Sequence, residues 1–182
     1  MGQRTNILLQ IEGRSGARLN KVYHLQWGYH RTMPLVFLHL VAIRNFRPFG
    51  MDVFKYNTKG LDLEGILTID RDWHKYNFNN LEDCQKVLSQ CDNNNGAMVV
   101  VITENTRDHL FPTYKVGFLL GPERQDAEPA FSRWVSTQEF LQNQPRYEMQ
   151  KDDVFAGAFD ILTTLFGTQH MEVQGNTPTP TS

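Results

Sequence analysis

Cysteine is scarce in this chain: 182 residues hold two, Cys84 and Cys91. They stand seven apart in a segment that reads as helix, which separates them by about 10 Å along the axis. A disulfide needs Cα atoms within about 7 Å, so the pair does not bridge, and a reduced, cytoplasmic protein is expected. The six histidines, His24, His30, His39, His74, His109 and His170, form no His-x-x-x-His pair, and no Cys-x-x-Cys occurs. No transition-metal motif is therefore present, and neither a metal nor a cofactor is expected. A Gly-rich phosphate loop followed by Lys-Ser/Thr and a Gly-x-Ser-x-Gly elbow are also missing.

Other shortages exclude further classes. No apolar run approaches the roughly 18 residues that a membrane span requires. The opening Met-Gly-Gln-Arg-Thr-Asn lacks an apolar h-region, so no signal peptide is expected, and Gly2 lacks the Ser/Thr spacing of a myristoylation signal. Charge of one sign is missing too: Lys+Arg 18 against Asp+Glu 20 leaves a net charge of −2. This balance does not indicate nucleic-acid binding, and it does not suggest an acidic mimic of DNA.

What is present reads as one folded α+β domain over residues 1–171 followed by a polar, disordered tail over 172–182. The hydrophobic share is 40% and the aromatic share 12%, enough for a core without covalent staples. The most legible stretch runs from Gly96 to Gly121. Ala97–Glu104 and Thr113–Leu120 are β-branched and aromatic arms, with turn chemistry before and after them. In the first arm Met98, Val100 and Ile102 share one face, and Val99, Val101 and Thr103 the other. Both faces being apolar, this strand is predicted to be central and covered on both sides.

Arg4–Glu12 and Lys21–Gly28 alternate and are joined by a Gly-containing loop, which predicts an antiparallel hairpin. Its core face is expected to carry Ile7, Leu9, Ile11, Tyr23, Leu25 and Trp27, leaving Asn6, Leu8, Gln10, Val22 and His24 on the other side. Met33–Phe46 reads as a buried helix, capped by Thr32 and stopped by Pro48. Gly65–Ile69 reads as an edge strand. Asn80 caps a helix over Leu81–Cys91, whose apolar face takes Cys84, Val87, Leu88 and Cys91. Ser136-Thr137-Gln138-Glu139 is a capping box opening a short helix over Thr137–Gln142. The last helix follows Asp152 and Asp153. The sheet is thus expected to be mainly antiparallel, built from two hairpins and covered by helices. The hairpin-then-helix order occurs twice, as a ββα pseudo-repeat or as a common local solution used twice.

Three clusters carry candidate chemistry. Glu104, Asp108 and His109 fall in the loop between the central arms, where acid, imidazole and Arg107 would suit a metal or phosphate; a solvated hairpin loop is the plainer reading. Trp27, His30 and Arg31 gather at a strand-to-helix junction suited to stacking plus charge, or simply to anchoring the hairpin. Trp73, His74, Tyr76 and Asn77 lie in an aromatic, amide-rich and exposed-looking strip, the composition of a protein-contact surface. This strip is the preferred binding site, with Trp73 as its anchor.

The segments RTNILLQIE…KVYHLQWG and YKVGFLLG…RWVSTQEFL resemble small uncharacterised proteins of phages or mobile elements of gut bacteria. The resemblance covers about a third of the chain and implies no activity. It raises a phage accessory protein, or an inhibitor of a host defence system, as one form of the leading reading: a non-enzymatic module that binds a protein partner. The alternative is a small metal-dependent hydrolase or nuclease acting through the Glu104–His109 loop. Oligomeric state is not legible.

Overall fold

A computed structural model describes residues 4–13, 16–26, 66–103, 113–124, 128–143 and 169–171. Its frame is a six-stranded sheet. In chain order the elements are β1 (Thr5–Glu12), β2 (Arg18–Leu25), β3 (Ile66–Thr68), helix α1 (Leu81–Leu88), β4 (Gly96–Thr103), β5 (Thr113–Leu119), a 3-10 turn (Pro122–Arg124), helix α2 (Thr137–Gln142) and β6 (Gln169–His170). The sheet order is β3-β2-β1-β4-β5-β6. Strands and two described helices make this an α+β arrangement.

Both hairpins form. β1 pairs antiparallel with β2 from Thr5↔Leu25 to Glu12↔Arg18, and β4 pairs antiparallel with β5 from Ala97↔Leu119 to Thr103↔Thr113. They join through a parallel pairing of β1 with β4, in register from Thr5↔Gly96 to Glu12↔Thr103. β6 is also parallel to β5, at Lys115 and Val116. The sheet is therefore mixed: three of its five strand pairings are antiparallel, and the two hairpins meet through their first strands, which run the same way.

β4 lies between β1 and β5 and is buried at every position but Thr103, as its two apolar faces predict. It begins at a residue that has to be glycine. Gly96 has φ +111, and a Cβ there would collide with the carbonyl oxygen of Leu119 and come within 3.1 Å of the Phe140 ring.

The first hairpin departs from its one-sided reading. β2 starts at Arg18, earlier than Lys21, and ends at Leu25. Ile7, Leu9, Tyr23 and Leu25 are buried as expected, but Asn6, Leu8, Gln10, Asn20 and Val22 on the opposite face are buried as well. The polar members survive there because each amide nitrogen donates a hydrogen bond, Asn6 to the Tyr23 carbonyl, Gln10 to Asn77 and Glu12, and Asn20 to the Trp73 and Tyr76 carbonyls. Trp27, the expected end of the core stripe, lies outside the described residues, as do the helix placed at Met33–Phe46, the last helix, and the tail. The ββα recurrence depends on that first helix and gains no observation here.

One face of the sheet packs into a single buried cluster. Leu8, Val22, Ala97, Val99, Val101 and Leu119 meet Cys84, Val87 and Leu88 of α1, together with Trp73, Phe78, Phe131, Trp134 and Met171. On the other face Ile7, Leu9, Tyr23, Leu25, Met98, Val100, Ile102, Val116 and Phe118 are buried. Phe140 of α2 stacks against Phe118 there, with ring centroids 4.8 Å apart.

The helix signals hold in most respects. Asn80 caps α1, its side chain accepting from the Asp83 N–H at 3.0 Å. α1 ends at Leu88, short of Cys91; the Gln90 and Cys91 N–H groups reach back only three residues, to Val87 and Leu88. At α2 the capping box is half made. Ser136 Oγ accepts from the Glu139 N–H at 3.1 Å, but the Glu139 carboxylate is held in a fork by Arg133 and does not return to Ser136. Arg133 also binds Glu128, at 3.1 Å. A fixed guanidinium fork outcompetes one backbone N–H for a carboxylate.

β3 confirms the edge strand expected near Gly65–Ile69, pairing with β2 from Tyr23↔Thr68 to Leu25↔Ile66. β6 was not anticipated. Two residues in a polar stretch carry no periodicity, yet Met171 just beyond them is 3% exposed and donates its N–H to the Val116 carbonyl at 2.7 Å. Its side chain fills the notch left by Gly117, where a Cβ would stand 2.5 Å from Met171 Cγ and 2.7 Å from the Trp134 ring.

Candidate functional site

The strip favoured from the sequence, residues 70–80, is an irregular segment laid across the buried face of the first hairpin. It begins as a continuation of the β3 ladder, the Ile69 N–H donating to the Val22 carbonyl at 2.9 Å. Two sheet amides then take hold of it. Asn20 Nδ2, on β2, donates to the carbonyls of Trp73 and Tyr76 at 2.9 and 2.7 Å. Gln10, on β1, accepts the Phe78 N–H at 2.8 Å and donates to Asn77 Oδ1 at 3.1 Å and to Glu12 at 2.7 Å. Arg18 adds a bond to the Tyr76 carbonyl at 3.2 Å.

The segment also ties itself. Asp72 Oδ1 accepts the His74 N–H at 3.1 Å, and the Tyr76 N–H returns to the Trp73 carbonyl at 3.1 Å. Asn77 donates its N–H to Asp83 Oδ2 at 2.8 Å and accepts from the Asn79 N–H at 3.0 Å, which fastens the strip to the start of α1. A loop without regular structure thereby finds partners for backbone groups of Trp73, His74 and each residue from Tyr76 to Asn80.

Trp73 is not the exposed anchor expected of it. It is 3% exposed, belongs to the main buried cluster and donates its indole N–H to the Ile69 carbonyl at 2.9 Å. The Asn20 and Gln10 amides draw the strip down onto the sheet, and the indole is the group it presses into the core. Tyr76 and Asn77 are half-buried, and His74 and Lys75 are exposed.

The outer surface of the turn is a small cationic and aromatic arrangement. Lys75 Nζ lies 5.2 Å from the Tyr76 ring centroid, and the Arg71 guanidinium lies 6.0 Å from that of Trp73. The two rings are 6.2 Å apart and inclined at 45°. Gln90 joins the group, donating to the Tyr76 hydroxyl at 3.2 Å and accepting from Arg71 at 3.4 Å. Cations over ring faces at these distances are held by the ring quadrupole. Among the described residues no set of three or more His, Cys, Asp or Glu side chains is placed to hold a metal ion.

The cysteines pack as the helical spacing predicts, more fully at one than at the other. Cys84 is buried and donates to the Phe78 carbonyl at 3.1 Å; Cys91, partly buried, donates to Val87 at 3.3 Å. Burial pushes the Cys84 thiol far up, with the Asp83 carboxylate adding to it. Burial raises Cys91 to about 11, against a smaller opposing pull from Arg71. Neither is poised to act as a nucleophile.

Of the other candidates, His30 and Arg31 lie outside the described residues, and so do Glu104, Asp108 and His109. At the base of that last loop, where the parallel strands β1 and β4 end, Glu12 is held by Gln10 and, at 3.4 Å, by the hydroxyl of Thr103. The residues that sequence reasoning missed are Gln10 and Asn20. Their signal was an amide at regular spacing on a strand face otherwise occupied by Leu8 and Val22.

No family model matches the chain, and no curated protein or solved structure matches it either. Among the described residues no helix is long and apolar enough to cross a membrane.

Proposed function

We propose that this chain is a non-enzymatic protein-binding module, and that its contact surface is the turn over residues 71–76, with Tyr76 as the aromatic anchor in place of Trp73. The observation that carries the reading is the pair of bonds from Asn20 Nδ2 to the Trp73 and Tyr76 carbonyls. They fix the backbone of the turn from beneath, so Arg71, His74, Lys75 and the Tyr76 ring are presented without the ordering cost that a free loop would bear on binding. Aromatic and arginine side chains on such a surface are the usual carriers of contact energy. The resemblance to phage and mobile-element proteins adds a host protein as the partner class.

The test compares Tyr76→Ala and Lys75→Glu with the wild type in capture and crosslinking from a host lysate, with melting curves alongside. The reading expects both variants to keep their folded baseline and lose a captured species that the wild type retains. Folded variants that capture the same species with the same yield would remove the turn from the interface.

A further inference from the structure

The sequence contains a single Asn-Gly dipeptide, Asn95-Gly96, at the head of the central strand. Asn-Gly is the peptide bond most prone to intramolecular loss of the asparagine amide, because glycine leaves the following nitrogen unhindered. The fold requires the glycine half of the pair. Gly96 sits at φ +111 against the Leu119 carbonyl and the Phe140 ring, where any side chain would collide.

In the folded chain the reacting groups are tied away from each other. The Gly96 N–H donates to Asn93 Oδ1 at 2.8 Å, the Asn95 amide donates to Asn94 Oδ1 at 2.8 Å, and the Asn95 N–H donates to the Arg4 carbonyl at 3.1 Å. Asn95 is 1% exposed, so water and base are kept from it.

We infer that Asn95-Gly96 is a deamidation site that is closed while β4 is paired with β1 and opens when that pairing is lost. On opening, the deprotonated Gly96 nitrogen attacks Asn95 Cγ. The new C–N bond closes a succinimide as the Cγ–Nδ2 bond breaks and the amide departs as ammonia. Water then adds to either ring carbonyl, giving aspartate or isoaspartate; water is the only co-reactant. Either product is incompatible with the native site. An aspartate places a carboxylate in a buried position beside the acceptor oxygen of Asn94, and isoaspartate adds a backbone carbon at the Thr5↔Gly96 register pair. The reaction therefore makes opening of the sheet irreversible.

The experiment holds the full chain in mildly alkaline buffer with and without denaturant, and follows Asn95 by peptide mass spectrometry and enzymatic isoaspartate assay. Modification in the native state is expected to be at least roughly tenfold slower than in the denatured state, and to rise with the unfolded fraction at intermediate denaturant. The modified fraction should fail to regain the native melting transition, and Asn95→Asp made directly should melt well below the wild type or not fold. Equal rates in native and denatured chains would overturn the inference. Aged wild-type protein that is modified at Asn95 yet refolds with an unchanged midpoint would overturn it too.

Discussion

Gln10 Oε1 accepts the backbone N–H of Phe78, 68 positions later in the chain, at 2.8 Å with both groups buried. One amide thus does for an irregular segment what a neighbouring strand does for a regular one. Replacing Gln10 by Leu leaves the Phe78 N–H without an acceptor in a site closed to water. A buried unmatched donor costs about 1–3 kcal/mol, and the loss of the Asn77 contact adds to it. A urea midpoint unchanged from wild type would show that the strip does not depend on this bond.

Trp73 and Tyr76 are expected to separate cleanly in mutagenesis. Trp73→Ala removes an indole from the main core and should cost about 3–5 kcal/mol in chemical denaturation. His74→Ala, on the exposed tip between them, should stay within about 0.5 kcal/mol of wild type. A Trp73→Ala protein as stable as the wild type would return the indole to the surface.

The thiols give an alkaline signature. Cys91 is raised from 9.0 to about 11 by burial, so its neutral form is favoured in the folded chain. Below pH 9 the thiol is protonated in both states and costs nothing. Between pH 9 and 11 the unfolded state ionises first, and stability is lost as the pH rises. The comparison that isolates it is the pH dependence of the denaturation midpoint in wild type and Cys91→Ala, with the variant expected to fall less steeply. Parallel curves would show that Cys91 is as hydrated in the folded chain as in the unfolded one.

Gly117 and Met171 should be coupled. A methyl at Gly117 would stand 2.5 Å from Met171 Cγ and 2.7 Å from the Trp134 ring. Overpacking of this kind costs about 1–3 kcal/mol. Gly117→Ala combined with Met171→Ala should be less destabilised than the sum of the two single variants, because truncating the methionine opens space for the methyl. Strict additivity in the double-mutant cycle would mean that Met171 does not fill the notch.

The parts of the fold legible in the sequence are those where residue spacing and burial agree. β4 read as central because Met98, Val100 and Ile102 alternate with Val99 and Val101, and Asn80 read as a cap because its role is settled three residues away. The same logic put Asn6 and Gln10 on the side away from the core and left Asn20 in the connecting turn. It failed there because their partners, Asn93, Phe78 and Trp73, lie 53 to 87 positions off along the chain. Period-two alternation reports on polarity, and an amide whose bonds are met by a distant loop is polar and buried at once. Trp73 was misplaced for the same reason: its strip looks hydrated until Gln10 and Asn20 are seen to take up its backbone. The segment's composition was legible, but the burial of Trp73 within it was not.

The parallel pairing of β1 with β4 also sets an order of assembly. Thr103 and Glu12, which face each other at its end, are 91 positions apart. β1 and β2 can zip together as soon as their short turn is made, but the other edge of β1 has to wait for most of the first hundred residues to be synthesised. During that interval an edge carrying Ile7, Leu8 and Leu9 has unpaired backbone groups and an apolar neighbourhood, the combination that invites pairing with another chain. Closure across so long a separation is slow on entropic grounds. In a cell, correct pairing then competes with pairing to a second nascent copy, and lowering the number of chains made at once favours the correct partner.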